Sequence, residues 1–138
     1  MEDWIKEAIA FWDECEVKMN PPATDADFEK AETILSFSFP DDFKALYAVV
    51  NGFDGYEWQE YMFSFWSLDR IIKEFVESGN KNIIGFCDFL IMSHVIGFNR
   101  NAVGIFKDYS TDYHIDEPIA LTFMEAIAMI NSSSREIY

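Results

Sequence analysis

A chain of 138 residues, half of them hydrophobic and 17% aromatic with 14 Phe and 4 Trp, carries ample core material for one compact domain and is the opposite of a disordered composition. Its 10 Lys plus Arg stand against 25 Asp plus Glu, and a net charge of −15 repels the phosphate backbone that a nucleic-acid binder must neutralise. Cys15 and Cys87 are too few for a disulfide framework, no apolar stretch reaches the ~20 residues of a membrane helix, and the opening Met-Glu-Asp-Trp has no basic or apolar leader, so the chain reads as cytoplasmic.

Ile5, Ala8, Ile9 and Trp12 share one face of a first helix, while Glu2, Asp3, Glu7, Asp13 and Glu14 stay in water. Asn20-Pro21-Pro22 breaks it. Thr24, with Asp27 three residues on, is a capping-box pattern opening a second helix whose apolar side is Phe28, Ala31, Ile34 and Leu35. Pro40 suits a first helical position, Asp41 and Asp42 complement the positive dipole end, and Phe43, Leu46, Tyr47 and Val50 follow on one face. Asn51-Gly52 is expected to stop this third helix, Gly taking the left-handed conformation.

Tyr61 to Trp66 is an aromatic run that fits a strand. Ser67 can cap a fourth helix lined by Leu68, Ile71, Ile72, Phe75 and Val76, ending at Ser78-Gly79-Asn80. Phe86 to Met92, Val95 to Asn99 and Val103 to Lys107 read as further strands. Thr122 with Glu125 repeats the capping-box pattern before a last helix that buries Phe123, Ala126, Ile127 and Ile130. The expectation is a single α+β domain over residues 1–138, a mixed or antiparallel sheet packed with N-terminal helices and a C-terminal helix.

Little in the chain points to catalysis. Neither phosphate-cradling glycine motif occurs, and no cofactor is called for. Asp112, His114 and Asp116 lie on one side of an extended segment and offer the best metal-ligand spacing, but no second ligand pair adjoins them, and a solvated loop before Pro118 explains them equally. No metal site is assigned. His94 reads as a strand residue with a satisfied ring nitrogen, and Cys87 as a core residue whose thiol an apolar strand makes inert. Capping accounts for Asp41 and Asp42.

Folding leaves Phe53 to Tyr61 unexplained, because Tyr56, Trp58 and Tyr61 alternate there with Asp54, Glu57 and Glu60. Rigid aromatic contact area beside acids suits a basic protein partner; the alternative is that the aromatics fold back onto the core and the acids serve only solubility. Asp108, Asp112, Asp116 and Glu117 form a second acidic cluster.

The ordered pattern of Phe39-Pro40-Asp41-Asp42-Phe43, Asn51-Gly52, a strand, a Ser67-Leu68-led helix, a sheet, and Ile119-Ala120 entering a last helix at Phe123 resembles the SUKH superfamily from about Thr24 to Ile130. Here Phe39 stands for the family's usual Leu, Phe53 for its second Gly, and Phe37-Ser38 where a Gly is usual. The family includes yeast cell-wall-assembly regulators and bacterial proteins that act as immunity proteins against toxins. The resemblance implies a non-enzymatic binding scaffold, and its recognisable motif positions are structural. The expected function is an immunity protein that occludes a basic toxin domain, such as a nuclease. The alternative is a regulatory interaction module of the cell-wall-assembly type, and a metal or small-ligand binder ranks behind both.

Overall fold

The structure is a computed structural model that describes residues 1–109 and 117–138. Three helices come first: α1 (Asp3–Glu14), α2 (Asp25–Leu35) and α3 (Asp41–Tyr47). A short strand β1 (Phe63–Phe65) and helix α4 (Leu68–Glu77) lead into β2 (Ile83–Phe89), β3 (His94–Asn99) and β4 (Ala102–Asp108). Helix α5 (Phe123–Asn131) and a 3-10 turn (Arg135–Ile137) close the chain. The strands form one antiparallel sheet in the order β1-β2-β3-β4. This is the expected α+β architecture.

Helix starts follow local chemistry. The Thr24 hydroxyl accepts from the Asp27 N–H while the Asp27 carboxylate accepts from the Thr24 N–H, completing the capping box. Ser67 and Thr122 cap α4 and α5 by accepting from the N–H of Arg70 and Glu125. Asp42 spans two helices. One carboxylate oxygen takes the Phe43 N–H and the other takes the Met124 N–H of α5 at 2.9 Å, which ties the starts of α3 and α5 together.

Strand pairing divides the sheet into two faces. The row Phe65, Cys87, Ile96 belongs to one face and the row Ser64, Asp88, Val95, Asp108 to the other. On the first face the core is aromatic. Phe43 stacks between Phe39 and Tyr47 at ring separations of 4.4 and 4.1 Å and meets Phe123 edge-on at 5.0 Å. Phe86, at a bulge in β2, lies 5.1 Å from Phe98 and 5.0 Å from Phe123.

Several expectations need correction. Helix α3 ends at Tyr47, four residues before Asn51, although Val50 is buried as expected. Gly52 has φ +65°, but its task is different from stopping the helix: a Cβ there would lie 2.4 Å from the Trp66 carbonyl oxygen. Asn51 acts on α4, its side-chain oxygen accepting the Leu68 N–H at 2.9 Å. Ile34 and Val76, expected on buried faces, are exposed, because α2 and α4 turn narrower stripes to their neighbours. Strand β2 starts at Ile83 rather than Phe86 and stops at Phe89. Leu90, Ile91 and Met92 look like strand residues in sequence, yet all three have left-handed φ and form the turn into β3.

His94 and Cys87 are core residues. The Nε2–H of His94 donates to the Ile137 carbonyl at 2.8 Å, since a carbonyl can only accept, and burial holds the imidazole below its ordinary pKa. Burial raises the Cys87 thiol and the Tyr47 phenol well above theirs.

Two predictions follow from this packing. Gly52→Ala should destabilise the chain by about 2–4 kcal/mol in urea denaturation, through positive φ and contact with the Trp66 carbonyl. His94 binds its proton less readily folded than unfolded, so its contribution is intact above the unfolded pKa and lost as pH falls below it. Wild type should therefore lose stability relative to His94→Gln, which cannot titrate, when the midpoint is followed from about pH 7.5 to pH 5.

Candidate functional site

Residues 53 to 62 cross from the end of the α3 segment to β1, and backbone bonds pin them at intervals. The Phe53 N–H donates to Phe65 O at 2.8 Å, and the Asp54 N–H donates to Lys18 O at 2.8 Å. Gln59 is buried, and its side-chain oxygen accepts the N–H groups of Tyr61 and Phe63. The loop is thus tied down from both sides and beneath.

From that base Tyr56 and Trp58 project, 76% and 45% exposed. Asp54 and Glu60 are exposed beside them, and Glu57 is half-buried, accepting the Lys18 N–H at 3.1 Å. Tyr61 takes another course. Its ring stacks on Phe11 of α1 at 6.0 Å and is half-buried, so it props the loop against the helix. Phe11, Glu14, Trp58, Glu60 and Met62 border an open cleft of about 560 Å³ there.

Under Tyr56 lies a charge cluster that the sequence reading missed. Asp88 is 3% exposed and accepts three hydrogen bonds, from Trp66 Nε1 at 2.6 Å, an Arg70 terminal nitrogen at 3.3 Å and the Met92 N–H at 2.9 Å. The Arg70 guanidinium lies 4.8 Å from the centre of the Tyr56 ring and 4.9 Å from that of Trp66. Its Nε is 3.8 Å from the Glu74 carboxylate. One signal was available: Asp88 is the lone charge in an otherwise apolar strand, which calls for a partner.

Asp108 ends β4 opposite Val95, on the Asp88 face of the sheet. It borders a second open cleft, about 350 Å³, with Trp66, Glu74 and Met92. Glu117 is exposed and precedes Pro118, which packs beside Gly104. Asp112 and Asp116, and with them the Asp112/His114/Asp116 metal spacing, lie outside the described residues. Among the described residues no group of three or more His, Cys, Asp or Glu is placed to hold a metal, and no helix is long and apolar enough to cross a membrane.

These elements, in this order, coincide with a known family: the model of the SMI1/KNR4 family (SUKH-1) matches residues 22–128. The chain belongs to that family. The match takes in the 53–62 loop, Arg70, Asp88 and the turn after β2, whereas α1, which supplies Phe11 and Glu14, lies before it. The SUKH motif residues prove structural. Pro40 is the N-cap of α3 rather than its first helical residue, Asn51 accepts the first N–H of α4, and Gly52 lets the chain pass the Trp66 carbonyl. Among curated proteins, none matches this chain closely enough to count as a relative.

Removing Asp88 should be costly, because it is buried and three donors converge on it. Asp88→Ala leaves the Trp66 and Met92 N–H groups unpaired and Arg70 facing Glu74 alone, and is expected to lose about 3–5 kcal/mol in chemical denaturation, whereas Asp88→Asn, which keeps an acceptor oxygen, should lose less.

Proposed function

We propose that this SUKH-1 domain is a non-enzymatic protein-binding module that acts as an immunity protein, covering the working surface of a basic toxin domain such as a nuclease. The observation that carries the reading is the exposure of Tyr56 and Trp58 on a loop fixed by Gln59 and by the bonds of Asp54 and Glu57 to the Lys18 backbone. Large, rigid aromatic side chains held ready before contact lose little conformational entropy on binding and are the residues most often found to dominate an interface. A catalytic reading has less support, because Cys87 is buried with its thiol pKa raised and His94 spends Nε2 on the Ile137 carbonyl.

Charge complements this arrangement. Asp54, Glu57 and Glu60 surround the aromatics, and the whole chain carries −15. Such a field accelerates encounter with a basic partner towards ~10⁸ to 10⁹ M⁻¹s⁻¹ at low salt, and the gain falls as salt screens it. Occlusion then needs no chemistry from the inhibitor. The buried surface itself excludes substrate.

Co-expression with the toxin encoded beside its gene tests this directly. Growth should be protected by wild type, and the Tyr56→Ala, Trp58→Ala double variant should bind the toxin domain at least about tenfold more weakly by calorimetry. If killing is undiminished although the wild-type chain is soluble and abundant, the immunity reading fails.

A further inference from the structure

The loop is only half of an exposed apolar surface. Six large hydrophobic side chains that water reaches lie on two adjoining segments: Tyr56, Trp58 and Met62 on the loop, and Leu90, Ile91 and Met92 on the β2–β3 turn. The Leu90 N–H donates to the Met62 carbonyl at 3.0 Å, which joins the two backbones. Arg70 joins the side chains, its guanidinium lying over the Tyr56 ring and 3.9 Å from the Met92 sulfur. Asp88 fixes the turn from below through the Met92 N–H.

The composition of that turn is hard to explain by folding. Leu90, Ile91 and Met92 have φ of 46°, 53° and 65°, a conformation in which Gly and Asn are comfortable and a β-branched residue is strained. A turn serving only to reverse the chain gains nothing from Ile91, which is 75% exposed. Three apolar side chains are held outward against a backbone cost. Beneath them the buried Asp88 pairs with the half-buried Arg70, so the charge offered at the rim is mainly that of Asp54, Glu57, Glu60 and, across the cleft, Glu14, against one exposed base, Lys18.

We propose that residues 54–62 and 90–92 form one docking surface for a segment of a partner protein in which an apolar anchor side chain is flanked by Lys or Arg. The inference rests on the reading of this chain as a protein-binding module and adds the second half of the surface and the chemistry of its occupant. A second copy of the same chain fits poorly, since two bodies of charge −15 would have to meet at their acidic rims. The pairing of apolar floor and acidic rim selects against neutral or acidic segments as well.

The test uses the full chain as bait for a display library of random linear peptides, followed by fluorescence-anisotropy titration of the strongest binder. Enriched peptides should carry an aromatic or aliphatic residue flanked by Lys or Arg, and Trp58→Ala and Ile91→Asp should each weaken binding by about tenfold or more. Val103→Asp, an exposed site on β4, should stay within about twofold of wild type. Asp is more tolerant of left-handed φ than Ile, so Ile91→Asp should keep its far-UV spectrum, and Ile91→Asn repeats the truncation without adding charge.

No enrichment, or enrichment of peptides lacking Lys and Arg, overturns the proposal. So does sedimentation showing a dimer that Ile91→Asp dissolves. If both Ile91 variants bind within about twofold of wild type while Trp58→Ala does not, the turn is no part of the site, and the protein-binding reading survives alone. Should peptide binding behave as stated while toxin protection fails, the immunity reading falls and this surface stands.

Discussion

The carbonyl of Trp66 is the point at which the parts of this fold are held to one another. It accepts the buried Tyr47 hydroxyl at 2.6 Å, and Gly52 passes so close that a single added carbon would collide with it. The same residue donates its backbone N–H to Phe86 O at 2.8 Å, placing it beside β2, and its indole N–H to Asp88. The next residue, Ser67, caps α4, whose first N–H is taken by Asn51. One short stretch therefore fixes where α3 ends, how the chain enters the loop, where β1 lies and where α4 begins. A buried hydrogen bond to a carbonyl is worth only about 1 kcal/mol net, but its loss leaves an unsatisfied group inside, and this asymmetry makes the geometry unforgiving.

The same node separates the two faces of the sheet by chemistry. Phe43, Phe86, Phe98 and Phe123 fill one side with rings in edge-on and tilted contact, a dry arrangement that α3 and α5 close. On the other side Asp88 and Arg70 meet under α4. Such a pair seldom adds net stability over apolar residues of similar size, because desolvation consumes the attraction. What it does supply is position. Asp88 fixes the Met92 backbone, and Arg70 lies between the Trp66 and Tyr56 rings, so a loop and a turn that are distant in sequence are held by one charge pair.

That arrangement suits a surface that binds without rearranging. Tyr56 and Trp58 stand on a loop anchored through Gln59 and propped by the Tyr61–Phe11 stack, and the turn at Ile91 is pinned at both ends. Side chains ordered beforehand lose less freedom on association, which favours a slow off-rate, while the acidic rim acts chiefly on the on-rate. On the proposed function, the acidic composition and the aromatic loop would contribute to different steps of one encounter.

Periodicity and capping chemistry are local, so the sequence by itself determined most of the elements. The faces of α1 and α5, the capping box at Thr24, the Ser67 and Thr122 caps, the strand setting of His94 and the burial of Cys87 were all legible from residues within four positions of one another. The exposure of Tyr56 and Trp58 was not, since an aromatic in a loop packs inward or outward according to what lies beneath it, as Tyr61 on Phe11 illustrates. Leu90-Ile91-Met92 read as strand because apolarity is the strand signal, and only the bonds from Asp88 and to Met62 bend that stretch into a turn. The role of Gly52 likewise depends on a carbonyl fourteen residues away. Tertiary structure alone decided these matters, because each turns on a contact between segments whose meeting no local pattern encodes.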